Sequence, residues 1–170
     1  MDDRDWIAEA VRRYERPLFA YVLALLGDRH RTQDVVQETF LELCRQPRAD
    51  VEPKLAPWLF AVSRRRAIDI HRKEHRMTAL TAEPPSRSAG PADALEHQDA
   101  TASVFARVDA LPANQREAIR LKFQNQFSYR EIAEVMGLSE SHVGVLLHLA
   151  LKTLRQSFAT PTTPEPRSRA

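Results

Sequence analysis

Residues 128–155 read SYREIAEVMGLSESHVGVLLHLALKTLR. Ser128 is followed three residues later by Glu131, and Ser139 precedes a second run of apolar residues with helical spacing. A serine at the N-cap with a glutamate at N3 forms a capping box, and a lone serine caps a helix by the same hydroxyl chemistry. Gly137 supplies the backbone freedom for a turn between the two runs. The stretch therefore predicts two short-linked helices, the layout of a helix-turn-helix.

The second of these helices carries an apolar stripe. Its members fall at i, i+4, i+7 and i+11, namely Val143, Leu147, Ala150 and Leu154. We expect the stripe to pack on the preceding helices, because burying each large aliphatic side chain stabilises by about 1.5–3 kcal/mol. Leu146 is assigned to the edge of this core. Val145 and Leu149 stay open between the core edge, contact with thymine methyl groups and contact with a protein partner.

The opposite stripe of the same helix is small and polar at its start and basic at its end. Its members are Ser141, Gly144, Val145, His148, Lys152 and Arg155. Small polar groups suit close approach to base edges in a major groove, and cations can meet phosphate. Ser128, Tyr129 and Arg130 begin the first helix, where the dipole also favours an anion. The pattern indicates DNA reading; a helical hairpin without a DNA role is the alternative.

Three amphipathic helices are predicted before residue 77. The first runs from about Asp5 to Leu26, with a kink or restart at Pro17 because proline removes a donor and crowds the preceding turn. The second runs from about Thr32 to Arg45 and the third from Trp58 to about Arg76, with an ordered, proline-rich loop over residues 46–57 between them. The inward side of the second helix is predicted to be Val35, Val36, Phe40, Leu41 and Cys44. Helices of this length can close one small core.

Composition changes after residue 76. Proline, alanine, serine and glycine with few large apolar residues predict a flexible linker. A helix is predicted over residues 94–110, with Leu95, Val104, Phe105 and Val108 on its buried side. Asn114 is predicted to cap the next helix, with Glu117 reaching back to it.

The fold class predicted from these elements is all-α, with two small helical domains joined by a flexible linker. The predicted plan is a first domain over 5–76, a linker over 77–100, a second domain over 101–158 and a disordered tail over 159–170.

Bulk composition narrows the function classes. The chain has 170 residues, 43% of them hydrophobic, and a formal net charge of +2. No apolar run of about eighteen residues occurs, and the acidic start MDDRDWIAEAV is unlike a secretory signal, so no membrane insertion and a cytoplasmic location are expected. The lone Cys44 is predicted to be a buried thiol. A protein that must hold DNA unaided generally has a stronger basic footprint.

The third predicted helix concentrates cations in residues 60–76, FAVSRRRAIDIHRKEHR. Either a solvated helix face or a phosphate-tracking surface fits this run, and the scarcity of acids favours the second for some of its side chains. His71 and His75 stand four apart but lack a third ligand nearby, so no metal site is predicted. No serine–histidine–aspartate motif, glycine-rich phosphate loop or apolar carboxylate pair occurs, so neither an enzyme nor a cofactor is expected.

Three stretches, taken in order, resemble one bacterial family. Residues 31–45, RTQDVVQETFLELCR, resemble the core-binding helix of RNA polymerase sigma factors of the sigma-70 family, extracytoplasmic-function (ECF) group. Residues 56–76, APWLFAVSRRRAIDIHRKEHR, resemble its promoter-melting and −10-reading helix, and residues 111–155 resemble its −35-reading domain. Each motif alone is weak, but the ordered set is highly specific and spans most of residues 10–157.

The resemblance implies an alternative sigma factor that binds core RNA polymerase as a monomer in the holoenzyme and directs transcription initiation at promoter DNA. An anti-sigma factor is a further candidate partner. Polymerase contacts are implied for Asp34, Gln37, Glu38 and Leu41. A loop over residues 47–57 would hold an extruded −10 base, with Arg48, Asp50 and Lys54 as polar contacts. The resemblance implies contacts to phosphates near the melted strand from four arginines, Arg64, Arg65, Arg66 and Arg72. The residues implied to read or approach the −35 element are Ser139, Ser141, His142, Gly144 and His148.

One departure from the family pattern bears on affinity. Family members often carry Lys or Arg where this chain has Gly144, Leu146, Leu149 and Leu151. In a holoenzyme the polymerase supplies phosphate contacts, and two linked modules gain from effective concentration.

The predicted linker is long enough for two promoter elements. Residues 77–93 reach about 55 Å when extended, and with the folded domains this bridges elements roughly 70 Å apart.

Two other functions compete with a sigma factor. A stand-alone helix-turn-helix regulator would bind palindromic DNA by itself and show a stronger basic footprint. A pure protein adaptor would replace Arg64–Arg66 with acidic or apolar residues, and the chain keeps these arginines.

Overall fold

The computed structural model describes residues 3–81 and 99–159, and within these ranges the chain is helical with short turns and no strand. The α-helices are α1 Asp3–Leu26, α2 Arg29–Leu43, α3 Arg48–Val51, α4 Leu55–Thr81, α5 Asp99–Asp109, α6 Ala113–Phe123, α7 Tyr129–Met136 and α8 Glu140–Ala159. The all-α prediction is confirmed. No helix in the described part of the chain is long and apolar enough to cross a membrane.

The first helix is continuous, so the predicted restart at Pro17 is wrong. Pro17 is exposed, while Leu18 and Val22 beyond it and Ala10 before it are buried. Because both halves bury one face in the same core, packing outweighs the loss of one backbone donor. The helix ends at Gly27, whose φ of 68° is in the left-handed region that glycine tolerates.

The second helix begins earlier than predicted because Asp28 caps it. The Asp28 carboxylate accepts a hydrogen bond from the backbone N–H of Arg31 at 2.9 Å. The buried face of the helix includes two threonines besides its valines and Phe40. The hydroxyls of Thr32 and Thr39 donate to backbone carbonyls one turn back at 2.6 and 2.7 Å, so both side chains can be buried.

Two inward assignments on this helix are wrong. Leu41 is 58% exposed, and Cys44, at the C-cap, is also exposed rather than a buried thiol. The buried threonines occupy positions that an apolar count passes over, so the face that α1 and α4 cover differs from the predicted one.

The predicted loop over residues 46–57 is mostly helical. After α3, residues Glu52–Lys54 form a 3₁₀ turn that leads directly into α4 at Leu55. Buried Val51 anchors the segment, and Pro53 falls in the first turn of the 3₁₀ helix, where a missing N–H is harmless. The fourth helix then extends through Thr81, so residues 77–81 of the predicted linker are helical. The rest of that linker through residue 98, including Leu95, and the tail from residue 160 lie outside the described residues.

The helix caps of the opening stretch are confirmed. Ser128 accepts from the Glu131 backbone N–H at 3.2 Å while the Glu131 carboxylate accepts from the Ser128 N–H at 2.8 Å. Gly137 has φ 67°, and the Ser139 hydroxyl accepts from the backbone N–H of His142 at 3.2 Å. The local chemistry alone was sufficient to place this turn.

The cap predicted at Asn114 is wrong. The sixth helix starts at Ala113 with Pro112 at its N-cap and no side-chain cap. Glu117 turns away from its own helix terminus and is buried. Its carboxylate has partners elsewhere in the fold, which is the reason it does not reach back.

The apolar stripe of α8 is confirmed as core. Val143, Leu147 and Ala150 are buried, Leu154 is half-buried, and Leu146 is buried as expected. The prediction for α5 is partly wrong, since Val108 is buried while Val104 and Phe105 are exposed. This helix packs against α6 and α8, and Val104 and Phe105 lie outside its covered side.

The two helical units share one continuous core. α4 packs against α7, and the Phe60 ring of α4 meets the Phe127 ring at a centroid distance of 5.0 Å in an edge-to-face arrangement. Phe60 also contacts Tyr21 of α1 at 5.0 Å. The residue patterns predicted two units held by a linker; the structure adds direct packing between them.

Candidate nucleic-acid interface

The exposed face of α2 brings together the residues assigned to polymerase contact. Asp34, Gln37, Glu38 and Leu41 are all exposed and follow each other at helical spacing on one side. Glu38 accepts a hydrogen bond from Arg66 of α4 at 2.7 Å. An aliphatic side chain as exposed as Leu41, beside carboxylates and an amide, is typical of a surface that a protein partner covers.

The arginines of α4 have different environments. Arg65 and Arg72 are exposed and make no ion pair with the described residues. Arg66 is half-buried and pairs with Glu38 and, at 3.7 Å, with Glu42. Of the four arginines assigned to phosphates, Arg65 and Arg72 are therefore the two that make no ion pair with the part of the chain that the structure describes.

Arg64 does not lie on the surface where it was expected. Its Nε donates to Glu117 Oε1 at 2.7 Å and its Nη2 to Glu117 Oε2 at 3.3 Å, and its side chain is 19% exposed. The hydroxyl of Tyr21 donates to the same Oε1 at 2.6 Å. Helical periodicity places Arg64 beside Arg65 on α4. Arg64 is covered only because the C-terminal helical unit, which carries Glu117, packs against this part of α4.

Burial and the shared carboxylate shift two pKa values in this cluster. Burial, and then the charge of Glu117, raises the pKa of Tyr21 well above its usual range, so the phenol keeps the proton that it donates. Burial alone would lower the pKa of Arg64, but the hydrogen bonds and charge of Glu117 outweigh it and raise the pKa. Both donors therefore keep their protons beside the buried Glu117 side chain.

The segment over residues 47–57 presents three polar side chains. Arg48 is partly buried, pairs with Glu52 at 2.6 Å and lies over the Trp6 ring at 5.5 Å. This hydrogen bond lowers the pKa of Glu52. Asp50 and Lys54 are exposed. Arg48 is thus held by the fold, whereas the other two point into solvent.

A crevice of about 380 Å³ opens next to this segment, between α2 and α4. Its walls are mixed polar and apolar, and its lining residues are Glu42, Gln46, Trp58, Val62, Arg65, Arg66 and Asp69. Trp58 contributes an aromatic side chain to this lining, and the surrounding amide, carboxylates and guanidinium groups offer hydrogen bonds. Such a lining can stack and hydrogen-bond an unpaired base.

The start of α7 provides less free hydrogen bonding than predicted. The hydroxyl of Ser128 is used in its capping box, donating to Glu131 at 2.8 Å. Tyr129 is exposed, with the Lys122 ammonium 5.4 Å from its ring centroid. Arg130 is exposed and 3.7 Å from Glu134.

The α8 face carries the other predicted DNA contacts. Its exposed members are Ser139, Ser141, His142, His148, Lys152 and Arg155. Gly144 is half-buried, because the Tyr129 ring lies beside it. Val145 and Leu149 are exposed at 54% and 42%, so neither fills the core edge.

Among the described residues, no group of three or more metal-ligating side chains occurs. The His71 Nε2 atom lies 2.9 Å from the carbonyl oxygen of Leu25, and the side chain of His75 is outside the described set.

Comparisons with known proteins agree on one family. The family model described as Sigma-70 region 2 matches residues 10–77, and the model described as Sigma-70, region 4 matches residues 102–154. The ECF RNA polymerase sigma factor SigM of Bacillus subtilis is 26% identical over 157 residues, covering 89% of this chain and 94% of that protein. The ECF RNA polymerase sigma factor SigL of Mycobacterium tuberculosis is 29% identical over 143 residues, covering 81% of this chain and 80% of that protein.

A solved structure has the same fold. The sigma factor RpoE, crystallised in complex with the anti-sigma factor NepR from Bartonella quintana, matches 93% of this chain and 99% of its own with a TM-score of 0.76 at 22% identity. Two sigma-70 regions in order, covering most of an all-helical chain, together with ECF relatives matched along most of their length, lead to one conclusion. The chain belongs to the ECF group of the sigma-70 family and is an alternative sigma factor for transcription initiation.

Proposed function

We propose that this sigma factor binds core RNA polymerase through the exposed face of α2 and presents two DNA-contacting surfaces to a promoter. It acts in the cytoplasm, as a monomer within the holoenzyme, and catalyses no reaction itself. The observation that carries the proposal is Leu41, an aliphatic side chain that is 58% exposed on the same face as three polar residues. Covering such a side chain contributes about 1.5–3 kcal/mol to binding.

The first DNA surface is formed by α4 and the segment before it. Arg65 and Arg72 are the cations placed to meet phosphates near the melted strand, since both are exposed. An extruded base would enter the crevice beside Trp58, with Asp50 and Lys54 at its approach. Extruding a base costs a few kcal/mol, which stacking on an aromatic ring, at about 1–3 kcal/mol, offsets in part.

The second DNA surface is the exposed face of α8 with Tyr129 and Arg130. Ser141 and His142 lie in the first turn after the cap, where a recognition helix approaches base edges. Gly144 permits close approach in the next turn, and Lys152 and Arg155 follow as phosphate contacts. Ser128 and Ser139 contribute as helix caps that set the position of both helix starts.

Val145 and Leu149 flank this surface and are proposed to lie where an anti-sigma factor competes with DNA. Exposed apolar side chains beside a polar stripe suit a partner that covers both. Changing the two residues to polar ones should abolish inhibition by a cognate anti-sigma factor while promoter-specific transcription continues. Loss of promoter-specific transcription, with binding of the anti-sigma factor intact, would instead assign them to thymine methyl groups.

The test of the main proposal is promoter-specific transcription from purified chain and core RNA polymerase. Leu41→Ala is expected to weaken binding to the core enzyme by about 10–100-fold, as the lost burial predicts. Phe123→Ala is the matched control, because Phe123 is equally exposed, at 59%, on α6 away from the α2 face. Equal effects of the two variants would contradict the assigned face. Tight binding of a palindromic duplex by the isolated chain, without any effect of core polymerase, would favour a stand-alone regulator.

A further inference from the structure

The chain over residues 47–54, which leads into α4, is too short to hold its own shape. Its helix α3 has four residues and no side-chain cap at its start, and the 3₁₀ turn that follows has three. Val51 is the one buried side chain among these residues. Helical pieces this short are not stable in water by themselves. Contacts with the rest of the fold must therefore set the positions of Asp50 and Lys54, the exposed residues proposed to meet the extruded base.

Arg48 makes one of these contacts, with the start of α1. Its Cζ atom lies 5.5 Å from the centroid of the Trp6 ring, and Trp6 is buried in the first turns of α1. A cation over the face of an indole is attracted by the ring, more strongly than by the other aromatic side chains. The pKa of Arg48 is raised, mainly by its hydrogen bond to Glu52 and also by the charge of Asp3, so Arg48 remains a cation. The start of α1 thus holds Arg48 from one side.

Glu52 holds Arg48 from the other side. Arg48 Nε donates to Glu52 Oε2 at 3.0 Å and Nη2 donates to Oε1 at 2.6 Å, a paired geometry that fixes the orientation of both side chains. Arg48 begins α3 and Glu52 begins the 3₁₀ turn, so the pair spans the junction between the two helix types. Asp50 lies within this span and Lys54 follows it by two residues. The orientation of both recognition side chains therefore depends on the pair.

An ordinary surface pair on α1 shows what is particular about Arg48. Arg12 also donates twice to one glutamate, Glu9, at 2.6 and 3.2 Å, but Arg12 is 70% exposed and both residues belong to the same helix. Exposed pairs of this kind contribute little to stability. Arg48 is 28% exposed and joins α1, α3 and the 3₁₀ turn. Its contacts restrict how these three elements lie relative to one another.

We propose that Trp6, Arg48 and Glu52 form a brace, which fixes the chain over residues 47–54 and thereby sets how strictly the holoenzyme selects the extruded −10 base. Arg48 is then a positioning residue that makes no contact with DNA, in contrast to the direct contact that the family resemblance implies. The inference rests on the proposed function, in which the exposed polar side chains of these residues meet the base. Residues already held in place need no ordering when the base arrives, so less of the contact free energy is spent before the right base is distinguished from the wrong one.

The test is transcription by purified chain and core RNA polymerase from a promoter library in which both elements are randomised. Sequencing the transcripts gives the base preference at every position of the −10 and −35 elements. Arg48→Ala should reduce the preference at the extruded −10 base by about tenfold, which is within the range of one mismatched base pair. Preference in the −35 element and affinity for core polymerase should stay at the wild-type level, which also shows that the variant is folded. An unchanged −10 preference in this folded variant would overturn the proposal.

Substitutions of the two partners separate a brace from a direct DNA contact. Glu52→Gln removes the charge and one acceptor oxygen, and it should lose preference at the same −10 position as Arg48→Ala. Combining these two changes should cost no more than Arg48→Ala alone, because both act through one contact. Wild-type preference in Glu52→Gln would assign Arg48 to the base itself and refute the brace. Trp6→Leu should lose preference and Trp6→Phe should keep most of it, because phenylalanine retains a ring for the cation; equal selection by both counts against the proposal.

Arg12→Ala is the matched control, because it removes an arginine from a glutamate pair of the same unit outside residues 47–54. It should keep the wild-type preference in both elements. The same loss as in Arg48→Ala would show a general effect of removing a surface charge and would refute the brace. A wild type without any base preference in the −10 element would overturn the proposed function and the brace with it, whereas a wild type that selects its base no more strictly than folded Arg48→Ala would overturn the brace alone.

Discussion

The same substitution at two glycines seven residues apart is expected to have opposite effects on stability. Gly137 ends α7 with φ 67°, and a Cβ built there meets no atom within 4 Å. An alanine at this position would meet no steric clash but would suffer backbone strain, which costs about 1–2 kcal/mol for a left-handed residue. This cost is partly offset by about 0.4–1 kcal/mol, because alanine makes the unfolded chain less flexible than glycine does. Gly137→Ala should therefore destabilise the protein by about 1 kcal/mol.

Gly144 lies inside α8, where alanine is favoured over glycine by about 0.8–1 kcal/mol. A Cβ there meets the Cε2 atom of Tyr129 at 3.7 Å, an ordinary van der Waals contact. Gly144→Ala should therefore stabilise the fold by about 1 kcal/mol. The added methyl group also stands on the proposed −35 surface, so binding to −35 DNA in the holoenzyme should weaken although the protein is more stable.

Urea unfolding and thermal melting of both variants check the signs. For a chain of this size a change of 1 kcal/mol shifts Tm by about 2–4 °C, downward for Gly137→Ala and upward for Gly144→Ala. Gly137→Asn is the control, because asparagine tolerates the left-handed region better than alanine does, so this variant should lose less stability than Gly137→Ala. Shifts of the same sign at both glycines would refute the reasoning, since it depends on their different backbone conformations.

Three further outcomes are expected. Leu147→Ala should destabilise the fold by about 2–5 kcal/mol in urea unfolding, because it opens a cavity in the α8 core, and a loss below 1 kcal/mol would contradict that packing. Arg65→Ala with Arg72→Ala should reduce the slope of log K against log salt for holoenzyme binding to promoter DNA by about 1–2, uniformly across sequences; an unchanged slope would remove both from the phosphate contacts. The backbone N–H of Arg31 lowers the pKa of Asp28, so this cap stabilises α2 above the unfolded-state pKa and is lost as pH falls through the lower folded value. Asp28→Asn keeps an acceptor that does not titrate, so the variant should lose less helix content in acid than the wild type when circular dichroism is followed against pH. Identical curves would show that this cap does not contribute to the acid-induced loss of helix.

Three adjacent arginines show how packing divides a charge run. Arg64 faces Glu117 of the other unit, Arg65 faces solvent, and Arg66 pairs with Glu38 of α2. Successive residues on a helix point about 100° apart, so a run of three meets three different surroundings. A charge count alone treats them as equal, whereas only the neighbouring helices distinguish them.

The sequence by itself determined the helix-turn-helix, its caps and its buried stripe. The Ser128 capping box and the left-handed Gly137 depend on groups within about four residues along the chain, and such short-range chemistry is encoded where it acts. The apolar spacing that includes Leu147 likewise predicts from the sequence which face of α8 the other helices cover. The ordered motifs likewise identified the family from the chain alone.

Only the tertiary structure decided which polar groups are covered. Glu117 has the spacing of a capping residue, but its partners are 53 and 96 positions away, and no local pattern encodes such a pairing. Leu41 is exposed because α1 and α4 cover a different face of α2, and α1 continues through Pro17 because both of its halves pack on one core. Burial is a property of surfaces brought together from distant parts of the chain, so the interface between the two sigma regions became visible only when they were packed.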